Sequence, residues 1–263
     1  MKHCVKLSEK HSEKVRERFN RSRAYSESME IRPIAVIRNA YDTKFGIPRQ
    51  SGLVKELVSE IVFEPEFRVP EAFRGLETFE YIWLIWGFSE TANEKWSPTV
   101  RPPRMGGNRR MGVFATRSPF RPNPLGLSSV RLAGIDFEAE NGPVIYVTGA
   151  DLMNGTPIYD IKPYLEYADS HADAGNGFTE DYERITLRVR IPENVRQDFE
   201  RIPEKLRPAL IKTLEQDPRP SYQKDPERQY GVDFGGFDVK FVIQENVLTI
   251  LGVSERIQEK AGK

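Results

Sequence analysis

A stretch rich in arginine and proline, from Arg101 to Ser128, restricts the possible folds of this chain more than any other part of its sequence. It contains six arginines, five prolines and four glycines, and no acidic residue. Proline fixes the backbone and glycine permits sharp turns, so the stretch predicts short elements joined by turns rather than a long helix. Its guanidinium groups suit a phosphate or a base edge, because each is a planar fork of donors. A structural network of ion pairs explains the same residues equally well.

The composition narrows the kinds of site that the chain can build. Lysine plus arginine and aspartate plus glutamate both number 39, so the basic excess is local rather than general. One cysteine excludes an intrachain disulfide, and three histidines leave little for a zinc site or a serine–histidine triad. No apolar run is long enough to span a membrane, and the N-terminus lacks the apolar core of a signal peptide. We therefore expect a cytoplasmic protein with no metal and no membrane partner.

Residues 1–29 are charged and rich in serine, with few large apolar side chains. This composition predicts a flexible N-terminal extension. The alternative is a polar helix over residues 8–19 that serves as a functional arm.

Six short apolar segments lie between residues 31 and 165, where no strong helical pattern occurs. The segments are rich in β-branched and aromatic residues, which is typical of strands. They are Ile31–Ile37, Leu57–Phe63, Phe79–Phe88, Met111–Thr116, Leu127–Leu132 and Val144–Gly149. Because no helices alternate with them, a closed or nearly closed β-barrel is predicted for residues 30–170 instead of a doubly wound sheet. Two long polar segments, Arg38–Gly52 and Gly149–Tyr164, are predicted to be irregular loops.

Residues 180–263 show a different pattern, after a small, polar, glycine-rich linker at residues 171–179. Arg184–Ile191 alternates as a strand, and Pro192–Glu215 is helical with a break near Pro203. Phe237–Ile243 and Val247–Val253 predict a hairpin. The fold class expected for the whole chain is mainly β: a non-Rossmann barrel followed by a small α+β domain.

The usual catalytic motifs are missing from the sequence. There is no glycine-rich strand-to-helix turn, Walker lysine, nucleophile elbow or zinc-deaminase signature. Asp151 and Asp160 form a candidate carboxylate pair in one loop, although aspartates in turns more often cap the backbone. Trp83 and Trp86 fit a strand core better than a base-stacking platform. The remaining candidates are polar loops with arginine side chains, which position ligands rather than supply nucleophiles.

Several blocks of the sequence together form a recognisable pattern. They are Ile34–Arg38, Lys44–Gln50, Arg74–Glu77, Val100–Asn108, Gly112–Ser128, Asp151, Gly155–Pro157, Asp160–Tyr164 and Asp217–Tyr222. With these blocks the chain resembles the TrmO (TsaA-like) family of transfer-RNA methyltransferases over residues 31–230. The resemblance implies a β-barrel that binds S-adenosylmethionine and a homodimer with its site near the subunit interface. It also implies methylation of the exocyclic amine of threonylcarbamoyl-adenosine, next to the anticodon of tRNA.

Carried over position by position, the resemblance implies a set of cofactor contacts from four parts of the barrel. They are Pro48, Arg49, Gln50, Ser89, Glu90, Arg117, Leu127, Asn154, Gly155, Thr156 and Pro157. Two of these positions depart from the family pattern, since Ser89 stands where histidine is common and Asn154 where aspartate is common. Asp160 is the candidate for a catalytic residue that positions the acceptor amine, with a structural cap as the alternative.

The arginines of the basic stretch are candidates for contacts to RNA phosphates. They are Arg101, Arg104, Arg109, Arg110 and Arg121, with Arg219 and Tyr222 assisting from the second domain. Some of them instead clamp the barrel loops if the structural alternative holds. Two other functions also remain open. One is an RNA-binding barrel that has lost methyl transfer, which only the departures at Ser89 and Asn154 favour. The other is a methyltransferase acting on a protein or small molecule.

Overall fold

The computed structural model describes residues 30–91, 95–102, 109–181, 185–219 and 225–256. Residues from Pro33 onward form one compact unit, and residues 30–32, the described part of the preceding unit, are exposed. The predicted N-terminal extension, residues 1–29, lies outside the described residues. Within the described part of the chain, no helix has the length and apolarity needed to cross a membrane. The same residues contain no cluster of histidine, cysteine or carboxylate side chains that could hold a metal ion.

Six antiparallel strands form a closed barrel. In chain order they are β1 (Ala35–Arg38), β2 (Val58–Phe63), β3 (Tyr81–Gly87), β6 (Leu125–Asp136), β7 (Val144–Thr148) and β8 (Pro157–Pro163). Around the barrel they follow the order β1-β2-β7-β6-β3-β8, and β8 pairs again with β1. Between β3 and β6, β4 (Thr99–Val100) and β5 (Met111–Gly112) make a separate two-stranded ladder. The mainly β fold and the closed barrel expected from the sequence are confirmed.

Alternating side chains fill the interior of the barrel. In β3, Ile82, Leu84 and Trp86 are buried, whereas Tyr81 lies on the outer face. Their partners in the core include Ile37, Ile61, Ile145, Val147 and Ile158 from the other strands. A six-stranded barrel is narrow, so side chains from opposite walls meet and exclude a central channel. A ligand site therefore has to form at an end of the barrel or on its surface.

One predicted strand and one predicted loop of the barrel region were wrong. Met111–Thr116 forms only the short β5, followed by a 3-10 turn at Val113–Ala115, and it does not join the barrel. The sixth barrel strand is instead β8, within the segment predicted to be irregular. Prolines at both ends of β8 and polar residues inside it weaken the local strand pattern. Hydrogen bonding to β1 on one side and β3 on the other overrides that weak propensity.

The C-terminal part is a four-stranded sheet with helices packed against it. Its strands are β9 (Arg188–Arg190), β10 (Gln229–Phe234), β11 (Phe237–Gln244) and β12 (Val247–Glu255), in the order β10-β11-β12-β9. The helices are α2 (Glu193–Glu200) and α3 (Arg207–Glu215), which follow the short α1 (Glu166–Asp169) near the end of the barrel region. The predicted hairpin is confirmed, and its turn places Glu245 at a φ of 53°. The sequence reading missed β10.

The long loop between β1 and β2 packs into the core of the C-terminal sheet. Tyr41 is fully buried there, with its ring 5.7 Å from that of Phe234, and its hydroxyl lies 3.2 Å from Thr213 Oγ1 of α3. The amide of Gly235 donates to the carbonyl oxygen of Ala40 at 2.8 Å. Farther along the loop, other apolar side chains join the same core, namely Phe45, Ile47, Val54 and Leu57. The C-terminal part therefore supports a loop that leaves and re-enters the barrel.

Candidate active site

A cleft of about 690 Å³ opens at one end of the barrel. Its walls come from the end of β3, the start of β6, the β1–β2 loop, the loop before β6, and the loop between β7 and β8. The lining residues are Lys44, Ile47, Pro48, Arg49, Gln50, Trp83, Trp86, Gly87, Phe88, Ser89, Glu90, Thr116, Arg117, Pro119, Phe120, Arg121, Leu125, Gly126, Leu127, Asp151, Met153 and Thr156. Barrel closure brings these five segments together, although they span more than 100 positions of the chain.

The inner wall of the cleft depends on a close approach between two neighbouring strands. Trp86 of β3 lies opposite Gly126 of β6 in the strand ladder. A Cβ atom added at Gly126 would overlap the indole ring, so only glycine leaves room for the tryptophan here. The indole also contacts Phe88, with ring centroids 4.4 Å apart. Together with Phe120, these rings give one side of the cleft an aromatic surface.

A chain of hydrogen bonds runs from Trp86 to the cleft. Its Nε1–H donates to Ser128 Oγ at 3.0 Å, and Ser128 Oγ donates to Asp151 Oδ1 at 2.6 Å. Asp151 is half-buried and lines the cleft. Burial raises the pKa of the Asp151 carboxyl above its ordinary value, while hydrogen bonds, chiefly from Ser128, and the Arg117 charge oppose that rise.

Eight of the eleven residues proposed from the sequence as cofactor contacts line this cleft. They are Pro48, Arg49, Gln50, Ser89, Glu90, Arg117, Leu127 and Thr156. Arg117 Nη1 donates to Gln50 Oε1, which joins the basic stretch to the β1–β2 loop. Lys44 Nζ, also in the lining, lies 4.0 Å from Glu90 Oε2. The arrangement thus combines aromatic faces, a carboxylate and several cations in one cavity.

The other three proposed contacts do not line the cleft, and each has a structural partner. Asn154 Oδ1 accepts from the amide of Asn39 at 3.2 Å, and its Nδ2 donates to Asp42 Oδ1 at 3.3 Å. The amide of Gly155 donates to the carbonyl oxygen of Ile37, and Pro157 opens strand β8. These residues hold the start of the β1–β2 loop against the β7–β8 loop.

Asp160, proposed from the sequence as the catalytic residue, does not reach the cleft. It pairs with Ile85 in the β3–β8 ladder, and its Oδ2 lies 2.8 Å from Lys162 Nζ. Its Oδ1 accepts from the amide of Ile161 at 2.9 Å. Because the segment is a strand, Asp160 lies along the barrel wall rather than at its rim, and its catalytic role stays a prediction. Asp151 is the aspartate of that segment that lines the cleft.

The arginines proposed to contact RNA divide into two groups. Arg101, Arg109 and Arg110 are exposed and form no ion pair with another described residue. Arg121 lines the cleft and donates to the carbonyl oxygens of Val113 and Thr116, so it braces the loop before β6. Arg104 and Tyr222 lie outside the described residues.

Arg219 is also held by neighbouring groups. Its guanidinium makes two hydrogen bonds to Asp217, at 2.9 and 3.0 Å, and its side chain is only 14% exposed. Arg121 and Arg219 therefore match the structural alternative that the sequence left open, in which arginines clamp loops.

Several lining residues were not singled out from the sequence. Phe88, Phe120, Lys44 and Met153 carry no motif of their own. Phe120 and Lys44 lie inside the blocks that carried the family resemblance, and this was the available signal. Trp83 and Trp86 were assigned to the core; Trp86 is indeed buried, yet both side chains also line the cleft.

Comparison with known proteins identifies the family. The family model described as the tRNA-methyltransferase O N-terminal domain matches residues 36–170, and the model of the TrmO C-terminal domain matches residues 184–256. The chain belongs to the TrmO family. The "tRNA (adenine(37)-N6)-methyltransferase" of Escherichia coli K12 is 38% identical to it over 235 residues, which cover 87% of this chain and 99% of the relative.

Two further comparisons agree with this family. A Pseudomonas aeruginosa PAO1 relative, named as a candidate S-adenosylmethionine-dependent methyltransferase, is 42% identical over 214 residues, covering 80% of this chain and 90% of the relative. A crystal structure of TrmO from Pseudomonas aeruginosa superposes with a TM-score of 0.70 at 33% identity, and the match covers 87% of this chain and 99% of that one. The described cleft therefore lies in a TrmO N-terminal domain.

Proposed function

We propose that this chain is a tRNA adenosine N-methyltransferase. It transfers a methyl group from S-adenosylmethionine to the exocyclic amine of the adenosine next to the anticodon, in its threonylcarbamoyl-modified form. The observation that carries the proposal is the cleft at the barrel rim, where eight positions implied by the TrmO resemblance meet in one cavity. Membership of the TrmO family supplies the reaction class.

The residues of the cleft fit the chemical groups of S-adenosylmethionine. The aromatic faces of Phe88 and Phe120 suit a planar base. The carboxylate of Glu90 suits ribose hydroxyls or an ammonium group, and the guanidinium groups of Arg49 and Arg117 suit a carboxylate. When bound, S-adenosylmethionine supplies a methyl carbon that is electrophilic because it is attached to a positively charged sulfur.

The protein contributes to this reaction mainly by positioning. A nucleophile and a methyl carbon react when they are held in line at roughly 3–3.5 Å, which requires little covalent chemistry from the enzyme. The walls of the cleft belong to strands β3 and β6 and to loops that hydrogen bonds connect to each other, so the site is preorganised. Burial of Trp86 and Thr156 excludes water from the inner wall.

The acceptor is proposed to reach the cleft from a tRNA anticodon loop. Bases in such a loop are unpaired, so a protein can read them by stacking and by contacts to their edges. Arg101, Arg109 and Arg110 are exposed cations of the basic stretch and suit the flanking phosphates. We propose further phosphate contacts from Arg104 and a stacking contact from Tyr222, and a tRNA-binding role for residues 180–263 as a small domain of its own.

The oligomeric state and the cellular compartment of the protein are also proposed. We propose a homodimer, in which a second copy covers the exposed apolar side chains of Leu125 and Leu127, which line the cleft. Light scattering of the purified chain would test the dimer. We propose the cytoplasm as the compartment, because the expected substrate is tRNA; fractionation of cells expressing a tagged chain would test it.

Methyl transfer to two tRNA preparations tests the function. One preparation carries threonylcarbamoyl-adenosine next to the anticodon and the other carries unmodified adenosine, and both receive labelled S-adenosylmethionine. We expect label only in the modified tRNA, and digestion to nucleosides should place it on the modified adenosine. RNA binding without label would support a binding module that has lost methyl transfer. Label that survives ribonuclease treatment of a crude extract would support a protein or small-molecule acceptor.

A further inference from the structure

The hydrogen bonds among Trp86, Ser128 and Asp151 have a defined direction. An indole nitrogen can only donate, so Ser128 Oγ must accept from Trp86. The single hydroxyl proton of Ser128 is then directed to Asp151 Oδ1 at 2.6 Å. Ser128 and Trp86 are both buried, so water does not compete for these two hydrogen bonds. Asp151 Oδ1 is therefore held as an acceptor.

The carboxyl group of Asp151 can accept further hydrogen bonds. A carboxylate offers about four acceptor positions. Ser128 occupies one of them, on Oδ1. Further acceptor positions are left on a carboxyl group that lines the cleft. One of them suits an N–H donor from a bound molecule.

The proposed reaction releases one such proton. Methylation of the amine nitrogen forms an N–C bond as the donor's C–S bond breaks, and the sulfur keeps the electron pair of the broken bond. The nitrogen loses its N–H proton in the same process, so a base must receive it. The lone pair of this nitrogen is delocalised into the adenine ring, and proton removal therefore helps it to act as a nucleophile.

We propose that the Asp151 carboxylate accepts this N–H proton and orients the amine for methylation. The proposal rests on the proposed function. The cleft has two lining carboxylates among the described residues, Asp151 and Glu90. Glu90 is exposed, and its Oε2 lies 4.0 Å from Lys44 Nζ. Asp151 is half-buried, and the hydrogen bond from Ser128 holds its carboxyl group in place, so it is the better positioned base.

The environment of Asp151 predicts a pH dependence for methyl transfer. Burial raises the pKa of Asp151, and the hydrogen bond from Ser128 lowers it. The charged groups that act on it include the guanidinium of Arg117, which also lowers its pKa. Only the deprotonated carboxylate accepts a proton, so the rate should rise with pH through this pKa and then level off. Removing the Ser128 hydroxyl should shift the rise to higher pH.

The test compares Asp151→Asn, Ser128→Ala and the control Asp136→Asn, which changes an aspartate at the end of β6 that is outside the cleft lining. Single-turnover methylation of modified tRNA should fall about 100-fold or more in Asp151→Asn, with dissociation constants for S-adenosylmethionine and tRNA within threefold of wild type. The acid limb of the pH–rate profile should disappear in Asp151→Asn and move to higher pH in Ser128→Ala. The control should match wild type.

A second measurement, made on the free protein without substrates, follows the titration of the aspartate carboxyl groups. Carbon-13 labelling of aspartate carboxyl groups in the free protein should show one resonance with a raised pKa, which is absent in Asp151→Asn and titrates at still higher pH in Ser128→Ala. A methylation rate within threefold of wild type in folded Asp151→Asn overturns the proposal. So does a tenfold loss of S-adenosylmethionine affinity that accounts for the whole loss of rate. If wild type itself labels no modified tRNA, the proposed function fails first, and the role of Asp151 in it fails with it.

Discussion

Arg49 Nη2 donates to the backbone carbonyl oxygen of Arg219 at 2.8 Å, across 170 positions of the chain. This bond joins a residue of the cleft to the segment after α3 in the C-terminal part. It adds to the contacts of Tyr41 with Thr213 and Phe234, which fix the beginning of the same loop. The C-terminal part therefore determines where the loop at residues 44–50 lies, so changes far from the cleft should affect cofactor binding.

Tyr41→Phe should weaken both the fold and cofactor binding. The substitution leaves the buried Thr213 hydroxyl without its partner, which should lower the free energy of unfolding by about 1–3 kcal/mol. Affinity for S-adenosylmethionine should fall severalfold because the loop that lines the cleft loosens. Denaturant titration and calorimetry measure the two effects. Tyr230→Phe is the matched control, since the Tyr230 hydroxyl is buried without a hydrogen-bond partner among the described residues, and its removal should not destabilise the protein.

Arg117→Ala should weaken S-adenosylmethionine binding more than Arg219→Ala does. Arg117 lines the cleft and bonds to Gln50, whereas the Arg219 guanidinium bonds to Asp217 and only its backbone supports Arg49. We expect at least a tenfold loss for Arg117→Ala, about 1.4 kcal/mol. Calorimetric titration of both purified variants decides the order, and equal affinities would contradict the placement of Arg117 at the cofactor.

Arg110→Ala should reduce the salt dependence of tRNA binding. An exposed arginine that contacts a phosphate releases counterions, so its loss should reduce the slope of log K against log salt by about one. The sequence suggested the same for Arg219, but its two bonds to Asp217 now lead us to expect an unchanged slope in Arg219→Ala. Titrations of tRNA at several salt concentrations separate the two arginines. A slope that falls in Arg219→Ala alone would reverse this assignment.

Gly126→Ala should disrupt the cleft, whereas Gly134→Ala in the same strand should not. A Cβ atom at Gly126 overlaps the indole of Trp86, and such overpacking costs about 1–3 kcal/mol of stability. At Gly134 a Cβ atom meets no atom within 4 Å. Unfolding measurements and tryptophan fluorescence should report the displaced indole in the first variant. Equal stability of the two variants would show that Trp86 moves without cost.

Asn154→Asp, which restores the residue common in the family, should destabilise this chain. Asn154 Nδ2 donates to Asp42 Oδ1 at 3.3 Å, and an aspartate would place two carboxylates side by side. The contact is exposed, so we expect a loss of about 0.5 kcal/mol at neutral pH that disappears in acid. Adding Asp42→Asn to the variant should restore stability. A double-mutant cycle measured by denaturant unfolding tests this coupling; additive effects would show that the two side chains do not interact.

Much of the architecture could be predicted because the order of apolar and polar residues along a strand reflects which of them are buried. The alternation of β2 and β7, the apolar run of β3 and the hairpin of β11 and β12 each reflect contacts that a strand makes along its own length. The glycines and prolines between Arg109 and Ser128 likewise marked a region of turns, and the loop before β6 lines the cleft.

Other features depend on contacts between residues that are far apart in the chain. Strand β8 exists because β1 and β3 supply its hydrogen bonds, and its own residues only weakly favour a strand. The choice of Asp151 over Asp160 for the cleft follows from that strand, which carries Asp160 away from the rim. The pairing of Asn154 with Asp42 likewise arises only when two loops meet. The mainly β class, the family and eight of the residues that line the cleft could be predicted from the sequence, because these leave local signals. The closing strand and the support from the C-terminal part depend on partners more than 70 positions away, and the contact that holds Asp151 comes from another strand, so only the tertiary structure creates them.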